Sequence, residues 1–378
     1  MNSKSPEKLI KKYAYELGFD ISGITTAQPF FRDEKESIDR IKKGLMGDMH
    51  WYNIERVQKA NHPEKLLPGA KSIISLGISY FKNPNNVNNN DIGKVAQYAW
   101  GKDYHLVIKN KLNTFVEKLS TMFEYDFKTR IFVDDGPMND RAVAERAGIG
   151  WFGKNTNILT KNYGSWVFLS QILTTLNLKP DKPLKKNCGT CIKCIDKCPT
   201  NAIIAPYKID ARKCIAYLTI EHRGVIPINL RPHIQNWIFG CDICQEVCPV
   251  NDNAETTKED QFISTNNYSV EYMISLLEMN EEEFLIKFKN SAIKRAKRLG
   301  LQRNICIALG NIKNPKAILA LSKALNSKEI LIRQHAAWAL GQIKANTSLE
   351  ILVASQKKEK NLDVLTEIEL AIKQNLKN

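Results

Sequence analysis

Short apolar runs separated by polar stretches predict strands and helices in the first half of the chain. Residues 72–80, SIISLGISY, are almost continuously apolar, which is typical of a strand buried inside a sheet. Shorter runs and helical periodicity predict further elements: strands at 19–25, 130–133 and 166–173, and helices at 6–17, 104–123 and 139–147. Because helices alternate with strands, residues 1–176 are predicted to form a layered α/β or α+β domain.

The last hundred residues contain a repeated helical pattern. The segment 303–310, RNICIALG, returns at 334–341 as QHAAWALG, with a period of 31 residues. Apolar helical segments at 315–325 and 348–353 lie between and after the two copies. Paired helices at such a period predict a short HEAT-like solenoid. Such arrays more often dock a partner than catalyse a reaction, although a purely structural cap is the alternative.

A lysine- and proline-rich linker at 179–186 separates the layered domain from a cysteine-rich segment that closes near Asp252. We therefore expect three consecutive domains at 1–176, 177–262 and 263–378. The fold class is α+β, with an α/β domain first, a ferredoxin-like domain second and a helical repeat domain last.

Eight of the nine cysteines have the spacing of an iron–sulfur protein. The first run, 188–199, reads C-x2-C-x2-C-x3-C-P, as in bacterial ferredoxins, where the cysteine before proline ligates the other cluster. The second run, 241–249, lacks one cysteine, which Cys214 can supply. Two 4Fe–4S clusters follow, one held by Cys188, Cys191, Cys194 and Cys248, and the other by Cys198, Cys214, Cys241 and Cys244.

Zinc and disulfides are the weaker interpretations of these cysteines. Structural zinc suits C-x2-C pairs but does not call for a repeated C-x3-C-P ending. Disulfides require an oxidising compartment, and nothing in the sequence indicates export. The remaining cysteine, Cys306, lies in a helical apolar pattern and is predicted to be a small buried side chain.

The net charge of +15 favours an acidic partner over a small neutral one. Seven basic residues and no acid lie between Lys287 and Arg303, a stripe of the kind that phosphate backbones bind. A solvated lysine-rich surface is the alternative. The first 19 residues lack the apolar core of a signal peptide, and no apolar run approaches a membrane span. We expect a soluble cytoplasmic protein with no membrane contact.

The most informative polar stretch outside the cysteines begins at Asp134, directly after the predicted strand 130–133. In α/β folds, ligands bind at the carboxyl ends of strands, and a partly buried aspartate can deliver a proton to a substrate. Capping of the next helix by Asp134 or Asp135 is an equally good interpretation. The residues alone thus indicate an iron–sulfur oxidoreductase with a basic docking domain.

Several stretches together resemble the epoxyqueuosine reductase family, which acts in the last step of queuosine synthesis on tRNA. They are the eight cysteines and the segments 97–105 (QYAWGKDYH), 133–134 (VD), 141–150 (RAVAERAGIG), 153–155 (GKN) and 291–311 (SAIKRAKRLGLQRNICIALGN). The resemblance extends over nearly the whole chain.

The resemblance implies cobalamin in the first domain, in a fold similar to that of reductive dehalogenases. It further implies reduction of an epoxide on the modified base at the tRNA wobble position. Electrons would pass from the clusters to cobalamin, with Asp134 as the proton donor and Asp135 as the second candidate. Cobalamin contacts carried over from the family are Arg56, Tyr98, Asp134, Lys154, Asn155, Asn157, Ile158, Ser165 and Ala216.

We also expect a tRNA surface, an unidentified low-potential electron donor and a monomeric protein. The candidate tRNA contacts are Arg141, Arg223, Lys294, Arg295, Lys297, Arg298 and Arg303. Three other functions compete with this one. They are a corrinoid reductase of a small molecule, an iron–sulfur electron carrier, and a nucleic-acid binder whose clusters are structural. The basic stripe argues against the first, because a small substrate needs no such charge.

Overall fold

The structure is a computed structural model that describes residues 5–83, 91–123, 125–263 and 267–376. Its strands are β1 (Ile21–Thr26), β2 (Ser72–Ser79), β3 (Lys94–Val95), β4 (Thr129–Phe132), β5 (Trp151–Phe152), β6 (Ile158–Leu159), β7 (Val167–Thr174), β8 (Ile203–Ala205), β9 (Lys208–Ile209) and β10 (Trp237–Phe239).

Helices occupy much of the remaining chain. They are α1 (Pro6–Glu16), α2 (Phe31–Lys42), α3 (Ile54–Ala60), α4 (Tyr104–Ser120), α5 (Asp140–Arg146), α6 (Lys193–Asp196), α7 (Ile215–Ile220), α8 (Arg231–Ile234), α9 (Ile243–Glu246), α10 (Val270–Leu277), α11 (Glu281–Lys287), α12 (Lys297–Ile312), α13 (Ile318–Leu325), α14 (Ile330–Gln342), α15 (Asn346–Gln356) and α16 (Leu362–Leu376). Within the described residues, no helix combines the length and the apolar character that crossing a membrane requires.

The chain forms two compact units, each assembled from separate stretches of sequence. Unit 1 contains residues 1–83, 101–211 and 243–263, and unit 2 contains residues 84–100, 212–242 and 264–378. The three consecutive domains expected from the sequence stay a prediction.

Unit 1 is built on a four-stranded sheet of order β1-β2-β7-β4, in which every neighbouring pair is antiparallel. The layered architecture of helices and strands expected for this region is confirmed, and its antiparallel pairing is that of the α+β alternative. The almost continuous apolar run of β2 was predicted to be a strand buried inside a sheet, and all eight of its residues are buried. One face of the sheet packs against α5, where Phe132, Ala142 and Val143 share a core with Ile73 and Leu173.

Unit 2 is organised around stacked helices. The repeated pattern forms α12 and α14, which pack on each other, while α14 also packs on α16. Every residue from Gly300 to Gly310 is buried, including Cys306 as predicted. The short strands β3 and β10 pair in parallel beside α12 and α7. The HEAT-like array predicted from the period of 31 is confirmed.

Candidate functional site

The Asp134 carboxylate stands on an exposed loop that directly follows β4 in unit 1. Its backbone is left-handed, with φ 53°, a conformation that aspartate and asparagine adopt more readily than other non-glycine residues. The Tyr104 hydroxyl donates to Asp134 Oδ2 at 2.6 Å. Tyr104 is itself fixed by stacking on Phe168, with ring centroids 4.2 Å apart. The partly buried aspartate expected here is thus an exposed one, held from one side by a buried tyrosine.

The capping alternative for this loop is wrong. The side chain that caps α5 belongs to Asn139, which accepts from the Ala142 N–H. Asp135 instead accepts from the Val133 N–H at 3.1 Å and forms an ion pair with Lys109. Burial is the largest single influence and opposes its ionisation, but the hydrogen bonds from Lys109 and Val133 and the charge of Lys109 together outweigh burial and lower the pKa of Asp135. Asp135 is therefore committed to a salt bridge, whereas Asp134 faces solvent.

A second acidic group lies beneath the loop. Asp140 begins α5, and its Oδ1 is buried without a hydrogen-bond partner. Burial, followed by repulsion from Asp134, raises the pKa of Asp140 well above its ordinary value. Gln171 Oε1 and Ser75 Oγ are also buried without partners, and these two residues face each other across β7 and β2. Sequence reasoning missed both Asp140 and Tyr104, because only the fold brings them to Asp134.

Four of the predicted cluster ligands interact with one another in unit 1. Burial, together with the neighbouring thiols of Cys248 and Cys188, raises the pKa of Cys194. Burial likewise raises the pKa of Cys248, with Cys188 and Cys191 adding to the effect. These four thiols are half-buried and form no disulfides. Crowded thiols that resist ionisation fit a cluster, whose iron supplies the compensating positive charge.

Two candidate cobalamin residues lie beside the cysteine segments of unit 1. Lys154 Nζ donates to the Gly189 carbonyl at 2.7 Å, and Asn155 Nδ2 donates to the Cys244 carbonyl at 3.2 Å. Their loop is tight, since a Cβ added at Gly153 would lie 2.7 Å from Asn155 Oδ1. Asn157 is half-buried and donates its N–H to that same Oδ1.

The other candidate cobalamin residues of unit 1 differ in burial and in the polar groups that they have available for a contact. Arg56 donates to the Gly136 carbonyl at 2.9 Å, so it lies at the Asp134 loop. Ser165 is buried, and its hydroxyl accepts from Asn251 and Gln245. Ile158 is buried in a small apolar cluster, which leaves only its backbone for a polar contact. The structure therefore brings together Arg56 and Asp134, and separately Lys154 and Asn155.

Two further predicted cluster ligands, Cys198 and Cys244, belong to unit 1, and the other candidates for the cofactors belong to unit 2. Cys214 is the N-cap residue of α7, in which Ala216 is the second residue, and Cys241 follows β10 after one glycine. Tyr98 lies against Phe239 of β10, with ring centroids 6.0 Å apart. Two predicted cluster ligands and two predicted cobalamin contacts thus lie on neighbouring elements of this unit.

The predicted tRNA contact at Arg303 is wrong. Its side chain is completely buried, and it donates to the carbonyls of Leu218, His222 and Gly224. A guanidinium enclosed in this way cannot reach a phosphate.

The rest of the basic stripe contains fewer free charges than its sequence indicated. Arg295 pairs with Glu221, and Arg298 pairs with Glu281. Acids from other parts of the fold therefore neutralise a stretch that has none of its own. Lys294 and Lys297 are exposed and stay the best candidates in the stripe.

The two predicted tRNA contacts outside the stripe also make internal bonds. Arg223 is exposed but donates to the carbonyls of Ile220, Arg295 and Ala296. Arg141 is exposed and donates to the Thr156 carbonyl at 2.8 Å. Both keep an exposed surface, so their contact with tRNA stays a prediction.

Three family models match separate parts of this chain. Residues 61–135 match "Epoxyqueuosine reductase QueG, DUF1730", residues 187–251 match "4Fe-4S double cluster binding domain", and residues 292–373 match "HEAT repeats". All eight cysteines assigned to clusters lie inside the second match. The segment is a double 4Fe–4S cluster domain, as its spacing predicted.

Curated relatives extend the likeness over most of the chain. The epoxyqueuosine reductase of Xanthomonas campestris is 40% identical over 339 residues, which cover 88% of this chain and 95% of the relative. That of Escherichia coli is 37% identical over 370 residues, which cover 94% of each chain.

Solved structures agree with these relatives. An epoxyqueuosine reductase crystallised with a tRNA-Tyr epoxyqueuosine-modified stem loop has a TM-score of 0.89, with 32% identity and 98% of both chains covered. A Bacillus subtilis epoxyqueuosine reductase, with an aspartate catalytic loop swung out of its active site, has a TM-score of 0.88. It is 32% identical and covers 97% of this chain and 98% of its own. From its cysteine ligands to its helical repeats, the chain belongs to the epoxyqueuosine reductase family.

Proposed function

We propose that this protein reduces epoxyqueuosine to queuosine in tRNA. The observation that carries the proposal is the Asp134 carboxylate, exposed on a left-handed loop and held by the Tyr104 hydroxyl at 2.6 Å. Family membership supplies the substrate class, since relatives over nearly the whole chain bear that activity in their name.

The reaction requires both electrons and protons. Converting the epoxide to an alkene breaks two carbon–oxygen bonds, consumes two electrons and two protons, and releases water. The oxygen leaves only if it is protonated, and Asp134 is the acid of this loop that is free to do so. Asp135 is bound to Lys109, and Asp140 Oδ1 is buried. Tyr104 keeps the Asp134 side chain in one orientation.

We further propose cobalamin as the cofactor at this loop, where it would supply the strongly reducing centre that the reduction of the epoxide requires. The chain's residues fit such a group. Polar side chains of Arg56 and Lys154 are half-buried at the Asp134 and Gly153–Asn157 loops. Gly153 lets this loop pack closely against Asn155 and Leu159, where a Cβ would lie 2.7 Å from Asn155 Oδ1, and so helps to hold Lys154 and Asn155 in place. When bound, the clusters would supply single electrons to this site.

The partners follow from the substrate. The wobble base of the tRNA enters the Asp134 loop, while exposed lysines of unit 2, Lys294 and Lys297, contact the phosphate backbone. A low-potential donor refills the clusters, and the protein acts as a monomer in the cytoplasm, where tRNA is modified.

The test combines activity with a matched pair of variants. Protein reconstituted with iron, sulfide and cobalamin is incubated anaerobically with a reductant and epoxyqueuosine-containing tRNA, and digested nucleosides are read by mass spectrometry. We expect loss of one oxygen from the modified nucleoside. Asp134→Asn should slow the reaction by at least about 100-fold, the order expected for a general acid, because the amide cannot donate a proton. Asparagine also adopts the left-handed backbone, so the loop should keep its shape.

Asp135→Asn is the control, since it removes a neighbouring carboxylate that is committed to Lys109. Its rate should stay within a few-fold of the parent rate. If Asp134→Asn is as active as the parent, the acid is another group. If the parent, with clusters and cobalamin bound, leaves the nucleoside unchanged, epoxyqueuosine is not the substrate.

A further inference from the structure

Buried side chains of the repeat helix α12 form hydrogen bonds with the segments that carry Cys214 and Cys241. All the residues concerned, Arg303 and Asn304 of α12 and the segments 214–224 and 237–241, belong to unit 2. Residues of a docking array need only pack against their neighbours. The polar bonds from this helix therefore require another explanation.

All the hydrogen-bond donors of the Arg303 side chain are used inside unit 2. Its five N–H groups make five bonds, to the carbonyls of Leu218, His222 and Gly224 and twice to Asn304 Oδ1. Each acceptor is neutral, so no carboxylate offsets the cost of burying this charge. The bond to the Leu218 carbonyl is 2.5 Å, and the Leu218 N–H in turn donates to the Cys214 carbonyl at 2.9 Å. Arg303 thus holds α7 one turn away from its cysteine.

Asn304 links α7 to β10. Its Nδ2 donates to the Thr219 carbonyl at 2.8 Å and to the Ile238 carbonyl at 2.9 Å. It is completely buried, and both ends of its amide are satisfied. One side chain therefore sets the spacing between the helix that follows Cys214 and the strand that precedes Cys241.

Thr219 completes the connection. Its hydroxyl donates to the Ile215 carbonyl at 2.7 Å and accepts from the Gly240 N–H at 2.9 Å. Ile215 is the residue after Cys214, and Gly240 is the residue before Cys241. A single buried oxygen thus joins the immediate neighbours of both cysteines.

We propose that Arg303 and Asn304 are positioning residues for the second 4Fe–4S cluster, because they clamp α7 and β10 and so fix Cys214 and Cys241. The repeat helix then sets the geometry of a redox centre in addition to any docking role. The proposal rests on the assignment of both cysteines to one cluster. Hydrogen bonding and net charge around a cluster tune its potential, so a loosened clamp should change that potential as well as cluster occupancy.

The test uses variants that loosen the clamp without touching a cysteine. In Asn304→Leu the bonds to Thr219 and Ile238 are lost, and in Thr219→Val the bond to Gly240 is lost with little change of shape. Arg303→Lys keeps the charge but not the planar set of five donors. Gln302→Leu is the control, since Gln302 also lies in α12 but donates to the carbonyls of Leu277 and Met279, which belong to neither of the segments that carry the two cysteines.

Each protein is reconstituted with iron and sulfide, its iron is counted, and the midpoint potential of each cluster is measured by titration with spectroscopic detection. The parent should hold about eight iron atoms, as two 4Fe–4S clusters require. We expect Asn304→Leu to fall toward about four, while Thr219→Val and Arg303→Lys shift the potential of one cluster and leave the other unchanged. Gln302→Leu should keep both clusters and both potentials.

The proposal is overturned if all three variants keep the iron content and potentials of the parent while losing only as much thermal stability as Gln302→Leu. A parent that holds about four iron atoms would overturn the cluster assignment instead, which is a separate failure. Because Thr219→Val removes one hydroxyl and preserves volume, it provides a folded variant if Asn304→Leu does not fold.

Discussion

Asp134 and Asp140 lie close together in unit 1 but in opposite environments. Asp134 is exposed and accepts from Tyr104, while Asp140 Oδ1 is enclosed without a partner. Burial, followed by repulsion from Asp134, favours the neutral form of this carboxyl and raises its pKa, which the hydrogen bond from Gln171 offsets only in part. One loop thus presents one carboxyl group to solvent and encloses an oxygen of a second carboxyl group.

This difference predicts a pH-dependent effect of Asp140→Asn on stability. In the unfolded chain the Asp140 carboxyl ionises above about pH 4, whereas burial raises the folded-state pKa. Folding therefore loses stability as pH rises from about 4 toward the folded-state pKa. Asparagine is neutral in both states, so the variant should gain stability relative to the parent between about pH 5 and pH 7.5. Thermal midpoints at both pH values check this.

Asp135→Asn provides a control of opposite sign. The pKa of Asp135 is lowered in the folded protein, so its contribution to stability is present above about pH 4 and is lost as pH falls. This variant should lose stability relative to the parent at neutral pH and not at acidic pH. A difference between Asp140→Asn and the parent that is the same at both pH values would show that Asp140 ionises freely in the folded state.

At the scale of single elements, the apolar pattern of the sequence predicted the buried strands. It did not predict a helix that has no buried residue, nor the direction in which the strands pair. The strand at 72–79 was predictable because burial on both faces leaves an almost continuous apolar run. The strand at 167–174 was predictable because most of its residues are apolar and six of its eight residues are buried. The helix α2 was missed, since none of its residues is buried and charged side chains dominate its sequence, in which only Phe31, Ile38 and Ile41 are apolar. Strand direction was also out of reach, because it depends on pairing between segments far apart in sequence.

The repeat helices permit a matched prediction within α12. A Cβ added at Gly310 would lie 2.8 Å from Ala339 Cα of α14, whereas one added at Gly300 has no neighbour closer than 3.8 Å. Gly310→Ala should therefore reduce the free energy of unfolding by about 1–3 kcal/mol through overpacking. Gly300→Ala should be neutral or add up to about 1 kcal/mol, because alanine favours helix. Chemical denaturation measures both changes, and equal destabilisation by the two variants would contradict the close approach of α12 and α14.

At the scale of the whole molecule, the formal charge of the sequence overstated how many basic side chains are available to bind tRNA. The sequence shows the basic residues between 287 and 303 but not the acids that the fold places beside them. Glu221 and Glu281 come from separate segments and pair with two of the arginines. The Arg303 guanidinium donates hydrogen bonds to main-chain carbonyls inside the protein and not to an external partner. Net charge therefore indicated the class of partner correctly, while the individual contacts required the structure.

The surviving lysines give a test of the docking surface. Replacing both Lys294 and Lys297 by glutamine should weaken tRNA binding and reduce the slope of log affinity against log salt by roughly 1–2, because fewer counterions are released. Lys316 and Lys323, which pair with Glu271 and Glu278, form the matched control pair. Their replacement should leave the salt slope unchanged. Filter binding across a range of salt concentrations measures both, and equal slopes for the two double variants would contradict the proposed surface.

The interleaving of the two units has a consequence for how the protein is made. Unit 1 begins at the start of this chain but needs residues 243–263, where Asn251 binds Ser165 and Phe262 packs on Phe168. At ordinary translation rates, the ribosome takes roughly 10–40 s to pass from residue 83 to residue 263. During that interval β1 and β2 are already synthesised, but their unit is incomplete. Cys188 also lacks Cys248, which is predicted to ligate the same cluster. Cluster insertion must therefore follow most of translation, and nascent chains need protection of exposed apolar strands until then.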